Sequence, residues 1–195
     1  MSGEPRVAAP VPGHLEIITG GMFSGKTEEL IRRVRRALIG KQRVAVFKPA
    51  IDTRSGANVA SHSKQEFPAI IIPTEDPQAI LPMVLGVPAI QVVGIEETQF
   101  FDVSIIDVVT ALTDSGRRVI IAGLDMDAWG KPFGAMPALL AMAERVDKLT
   151  AICTLCGKDA TRSQKIPTYG GGAVVDVGAA DKYEARCRSH FSAPN

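Results

Sequence analysis

Three groups of residues in this chain have types and spacings that could do chemistry. The first is Gly20-Gly21-Met22-Phe23-Ser24-Gly25-Lys26-Thr27, which has the spacing G-x-x-x-x-G-K-T. Its glycines let the backbone curl so that several N–H groups converge on one anion. A helical pattern begins directly after it and adds the positive end of its dipole. Lys26 can reach terminal phosphate oxygens, and the Thr27 hydroxyl can ligate Mg²⁺. An ordinary glycine turn capping a helix is the plainer reading. The complete spacing, with the apolar run Leu15, Ile17, Ile18 before it, argues instead for a nucleoside-triphosphate site.

The second group is Glu96-Glu97, at the end of the continuous apolar run Ala89 to Ile95. Phosphoryl transfer needs a carboxylate near Mg²⁺ and, for an alcohol acceptor, a base for its proton. Adjacent strand residues point to opposite faces, so one carboxylate can face metal while the other faces substrate. The third group pairs Cys153-x-x-Cys156 with Cys187-x-x-His190 and uses all three cysteines of the chain. Three thiolates and one imidazole satisfy tetrahedral Zn²⁺. A closed set of four leaves no position for water, so the metal is expected to be structural.

The elements that must position these groups alternate. Strand patterns at 15–18, 43–48, 67–72, 89–95, 119–124 and 149–152 are separated by helical patterns at 28–38, 76–85, 102–114 and 137–148. Buried apolar strands alternating with helices predict an α/β fold, with helices on both faces of a parallel sheet. Asp102 reads as a helix N-cap. The polar loop 50–66 leaves the carboxyl end of a strand, where open α/β sheets bind ligands. After about residue 150 the pattern breaks into short Cys- and Gly-rich pieces. The expected organisation is a Pro-rich tail over 1–13, an α/β domain over 14–150 and a small zinc lobe over 151–195.

With 195 residues and a net charge of +1, composition gives no electrostatic argument for nucleic acid or an anionic membrane as the main partner. No apolar run approaches membrane-spanning length, and residues 1–13 lack a signal-peptide core, so a cytoplasmic location is expected. The arginines at 32, 33, 35 and 36 read as a solvated helix face or a subunit contact.

Several of these residues stand in one familiar order. Gly-x-Met-Phe-Ser-Gly-Lys-Thr-Glu-Glu-Leu, Lys48-Pro49-x-x-Asp52-x-Arg54, Ser61-His62, Glu97-x-Gln99-Phe100, Gly123-Leu124-Asp125, Pro132-Phe133 and the two metal knuckles follow one another. The chain resembles the zinc-containing thymidine kinases of bacteria and animals over about residues 14 to 191. The resemblance implies a P-loop, RecA-like sheet with a zinc-ribbon-like lobe carrying a lasso-like lid. It implies transfer of the ATP γ-phosphoryl group to the 5′-hydroxyl of thymidine, in pyrimidine salvage and DNA synthesis, by a homotetramer.

On the matching positions, Glu97 would be the general base. Gly20, Gly21, Met22, Phe23, Ser24, Gly25, Lys26 and Thr27 would hold ATP and Mg²⁺, with Asp52, Arg54, Glu96, Thr98 and Gln99 nearby. Met22, Phe101, Leu124, Phe133 and Tyr183 would wall the base pocket. Val174, Val175, Asp176, Val177 and Gly178 would offer lid backbone to the thymine edge, and Cys153, Cys156, Cys187 and His190 would bind zinc.

The sequence departs from that pattern mostly around the nucleoside. Glu96 stands where most members have Asp, and Ala128 where they have the aromatic residue of Asp-Phe-x-Gly, with Trp129 next to it. Gly178-Ala179, Ser163-Gln164-Lys165 and Ser63-Lys64 also differ, whereas the ATP loop is intact. The expectation is a divergent thymidine or deoxynucleoside kinase. The competing readings are an ATP-dependent nucleic-acid-binding module with a zinc ribbon, a nucleotide-binding subunit without turnover, and a kinase for a modified pyrimidine nucleoside.

Overall fold

A computed structural model of the chain describes residues 13–51, 58–60, 66–166 and 182–194. In chain order its first eight strands are β1 (His14–Gly20), β2 (Arg43–Pro49), β3 (Asn58–Ala60), β4 (Glu66–Pro68), β5 (Ile70–Ile72), β6 (Ile90–Ile95), β7 (Arg118–Gly123) and β8 (Arg145–Leu149). Six of them form the central sheet in the order β5-β2-β6-β7-β1-β8, and every pairing is parallel. One strand, β7, therefore separates the strand that enters the glycine loop from the strand that leads to the acidic pair.

Strand pleating explains why these segments are largely apolar. Ile17, Phe47, Val93, Ile95, Val119 and Ile121 share one core cluster with helices α2 (Ile80–Leu85), α3 (Ile105–Asp114) and α4 (Met136–Met142). Their neighbours Ile18, Val46, Val92, Ile120 and Ala122 face the other side and meet helix α1 (Lys26–Ile39) through Leu30, Ile31 and Val34. Buried on both faces, such strands read as near-continuous hydrophobic runs. The expected α/β arrangement, a parallel sheet between two helical layers, is the one observed.

Four local expectations need correction. The helical pattern over 137–148 stops at Met142, and residues 145–149 form the edge strand β8. Propensity in this segment favours helix, but β1 offers a free edge. The pairing Glu16↔Arg145 to Gly20↔Leu149 satisfies it, so tertiary context overrides propensity. The strand predicted at 149–152 is consequently two things, the end of β8 and the separate strand β9 (Ala151–Ile152). The 67–72 run divides into β4 and β5, and β4 pairs with β3 inside the segment read as a loop. Asp102 caps a turn, its Oδ1 accepting the Ser104 N–H at 2.9 Å, and α3 begins only at Ile105.

The arginine face of α1 is not all solvated. Arg33 is only 4 % exposed and donates to Glu16, Glu29 and Asp147 at 2.8, 2.8 and 2.6 Å. Burial alone would push the Glu16 carboxyl up. The hydrogen bond and charge of Arg118, with bonds from His14 and Arg33, outweigh burial and hold it at about 2. A carboxyl depressed from 4.5 to about 2 contributes stability that is present above the unfolded value and lost as pH falls from about 4.5 toward 2. At about 1.4 kcal/mol per unit, that contribution is roughly 3 kcal/mol. Glu16→Gln is expected to lose about that much at pH 7 in urea titrations. It should also flatten the drop in stability between about pH 5 and pH 2.

Beyond β8 the pieces are short. β9 pairs antiparallel with β10 (Asp159–Ala160), and β11 (Arg162–Lys165) pairs with β12 (Tyr183–Arg186). No helix among the described residues is long and apolar enough to cross a membrane.

Candidate active site

The glycine loop forms where β1 meets α1. Gly20 ends the strand at φ +138°, and a Cβ there would lie 2.2 Å from the Leu149 carbonyl oxygen, so only glycine fits. Phe23 takes φ +65° and Gly25 φ +85°, which together fold the loop back over the start of α1. For a bulky residue such as Phe23 that conformation costs on the order of 1–3 kcal/mol and persists only where the surroundings hold it. Inside the loop the Gly21 carbonyl accepts from Ser24 Oγ at 2.8 Å and from Lys26 Nζ at 2.9 Å. The Lys26 ammonium thus hangs over the curled backbone where an anion's oxygens would lie.

The acidic pair reaches this loop from β6. That strand ends at Ile95, and the Glu96 N–H donates to the Phe47 carbonyl at 2.9 Å, which carries the ladder one residue further. Glu96 is 3 % exposed, and its Oε1 accepts from Thr27 Oγ1 at 2.6 Å. A buried carboxylate and a hydroxyl held together at the first turn of α1 supply the oxygen donors that a hard divalent cation takes.

Glu97 then turns away from Glu96, but by a turn and not by strand pleating. Its backbone is left-handed at φ 47°, and residues 98–100 form a 3-10 turn behind it. Gln99, 2 % exposed, donates from Nε2 to Glu97 Oε2 at 2.6 Å, while its Oε1 accepts the Leu124 N–H at 2.9 Å. One buried amide therefore fixes the Glu97 carboxylate relative to the end of β7. Thr98 is fully buried and donates to the Ile95 carbonyl at 3.1 Å.

Leu124 opens a loop closed on itself. Phe133 N–H donates to the Asp125 carbonyl at 3.1 Å, and Asp127 Oδ1 accepts from the N–H groups of Trp129 and Lys131 at 2.9 Å each. Phe133 meets Phe100 edge-on, with ring centroids 5.6 Å apart. Phe101, expected at the wall of the base pocket, is 4 % exposed. It shares a core cluster with Phe47 and Ile72 directly after the 98–100 turn. Ala128 is buried and Trp129 half-buried.

The four knuckle residues converge. The ligand atoms of Cys153, Cys156, Cys187 and His190 all lie within 4.8 Å of one another. Cys156 Sγ is 3.8 Å from Cys187 Sγ, and His190 Nδ1 is 3.3 and 3.7 Å from the sulfurs of Cys187 and Cys153. Zn–S bonds of about 2.3 Å at tetrahedral angles place two sulfurs about 3.8 Å apart, so the set fits zinc. It does not fit a disulfide, whose sulfurs sit about 2.05 Å apart. Burial raises the Cys153 thiol, but N–H groups of Cys187, Leu155 and Cys156 and the His190 ring draw it down to about 5. At Cys153 the thiolate that zinc requires is thereby favoured.

A family model described as thymidine kinase matches residues 13–191. The chain belongs to the thymidine kinase family. It is 50 % identical to the thymidine kinase of Deinococcus radiodurans, with 91 % of this chain and 89 % of that protein covered. It is 51 % identical to that of Deinococcus deserti, covering 91 % and 94 % of the two chains. With the thymidine kinase of Coprothermobacter proteolyticus it shares 49 % identity over 93 % of this chain and 92 % of the other.

Of the residues that the family resemblance singled out, the glycine loop, Glu96, Glu97, Thr98, Gln99, Leu124 and Phe133 gather at the carboxyl ends of β1, β6 and β7. Tyr183 is half-buried on β12, paired with Lys165 of β11. Asp52, Arg54, Ser61, His62 and the lid residues 174–178 lie outside the described residues. Two contacts at this site have no precedent in the sequence patterns. Ser163 Oγ accepts the Met22 N–H at 2.9 Å, across 141 positions of chain. Lys148 Nζ lies 2.6 Å from Asp125 Oδ2, bridging the end of β8 and the loop after β7.

Proposed function

We propose that this chain transfers the γ-phosphoryl group of ATP to the 5′-hydroxyl of thymidine, in the cytoplasm and as a homotetramer. The observation that carries the reading is the pairing of Glu96 with Thr27, and of Glu97 with Gln99 beside it, in a chain matched by its family over 13–191. Thr27 and Glu96 would hold Mg²⁺, which would offset the charge of the triphosphate. Lys26 and the loop N–H groups would hold the triphosphate. Glu97 takes the proton of the 5′-hydroxyl as its oxygen bonds to the γ-phosphorus. The bond from that phosphorus to the β-phosphate bridging oxygen breaks, and ADP leaves.

Leu124 is joined to Glu97 through Gln99, and Phe133 meets Phe100 edge-on; with Met22 and Tyr183 they would wall the base pocket. The four knuckle residues would hold structural Zn²⁺. The test is phosphoryl transfer from labelled ATP to a panel of nucleosides that includes C5-substituted pyrimidines, because Ala128 and Trp129 change the side chains beside that wall. Turnover on thymidine supports the proposal. ATP binding without turnover on any nucleoside would overturn it in favour of a nucleotide-binding subunit.

Gly134 gives a sharper check on Gln99. It adopts φ +50°, and a Cβ there would lie 2.5 Å from the Gln99 carbonyl oxygen. Gly134→Ala should displace Gln99 and, with it, Glu97. Misplacement of about 1 Å can cost on the order of 10²-fold in rate. The expected result is a kcat loss of that order in steady-state assays, with ATP affinity by calorimetry unchanged.

A further inference from the structure

The first half of the glycine loop is built into the C-terminal lobe. At its root, Gly20 presses on the carbonyl of Leu149, the last residue of β8, and the chain from there runs directly into β9 and the first thiolate, Cys153. One residue along from Gly21, the Met22 N–H donates to Ser163 Oγ of β11 at 2.9 Å, so this loop donor is turned to the lobe and not to a phosphate. Next, the Phe23 ring packs against the lobe's own small core of Ala151, Cys153, Ala160 and Ala185, beside Cys187.

That core is made of alanines and a cysteine, and among the described residues its one aromatic ring comes from the glycine loop. Phosphate binding by the G-x-x-x-x-G-K-T pattern makes no demand for an aromatic ring at this position. The packing instead holds Phe23 in its left-handed conformation against a wall that includes two metal-binding cysteines. Loop and lobe are in this respect one packing unit, and whatever orders one orders the other.

We propose that the metal site and the nucleotide loop are thermodynamically linked, with Phe23 and Ser163 as the positioning residues that join them. The loaded lobe pre-organises the loop for a triphosphate, and a bound triphosphate in turn retains the metal, since such coupling is reciprocal. This rests on the reading of the two sites as a nucleotide site and a zinc site.

The test measures zinc loss from the full-length, zinc-loaded protein to a chelator that spares Mg²⁺, with and without saturating ATP, beside calorimetry of ATP binding. ATP is expected to slow zinc loss by about tenfold, within the usual range of coupling between sites. Phe23→Ala should abolish the slowing. Ser163→Ala should weaken ATP binding by about fivefold or more, and Ser163→Thr, which keeps the hydroxyl, should restore it. The Ser163 pair decides the matter if Phe23→Ala does not fold. Zinc loss that ignores ATP, in protein that calorimetry shows to bind it, would overturn the linkage and leave the kinase reading standing. Absence of ATP binding by the zinc-loaded wild type would instead sink the nucleotide reading, and the linkage with it.

Discussion

Glu97→Gln is expected to lower kcat on thymidine by about 10²–10⁴-fold while leaving ATP affinity and thermal stability close to wild type. The substitution is nearly isosteric, and the Gln side-chain oxygen can still accept from Gln99 Nε2, now 2.6 Å from Glu97 Oε2. What it removes is the ability to take a proton. Folding and nucleotide binding should survive, because Lys26 is held by the Gly21 carbonyl and Thr27 by Glu96, neither of which the substitution alters. Rapid-quench turnover separates the chemical step from product release, and calorimetry reports ATP binding separately. A variant that keeps kcat within about threefold of wild type, well short of what losing a general base costs, would mean that another group accepts the proton.

The same constellation shows what was legible in the sequence. The glycine loop, the acidic pair and the metal knuckles could be read because each is a short pattern with its own chemistry, and the central strands because burial on both faces favours near-continuous apolar runs. β8 could not be read: Arg145–Leu149 is mostly exposed and polar, and only the open edge of β1 makes it a strand. Strand pleating predicts the separation of Glu96 from Glu97, yet it arises from a left-handed turn after β6 has ended. Arg33 looked like its neighbours on α1, and the carboxylates of Glu16 and Asp147, on β1 and β8, account for its burial.

Contacts between distant segments left no local mark at all. Nothing near Ser163 announces that its hydroxyl meets the Met22 N–H, and nothing in Met-Phe-Ser says that the Phe23 ring belongs to another lobe's core. Gln99 is intermediate. The family resemblance puts it in the nucleotide site, but its double role, bonding Glu97 and the Leu124 N–H together, needs the approach of β7 to β6.

Glu96→Gln separates two roles that the structure alone leaves joined. The carboxylate accepts from Thr27 Oγ1 at 2.6 Å, and a neutral amide can accept the same bond. If Glu96 only orients the Thr27 hydroxyl, the variant should behave as wild type. If its charge helps to hold Mg²⁺, the variant loses that charge from a buried site where water cannot replace it. The expected result is a rise of about 10–100-fold in the Mg²⁺ concentration needed for half-maximal activity, the range seen when groups supporting a metal are removed. Glu96→Asp keeps the charge and shortens the side chain by one methylene, so it should recover most of the loss. The decisive measurement is a Mg²⁺ titration of turnover at fixed ATP, run on both variants and on Thr27→Val. An unchanged Mg²⁺ requirement in Glu96→Gln, with a raised one in Thr27→Val, would assign the metal to the hydroxyl and leave Glu96 as its orienting partner.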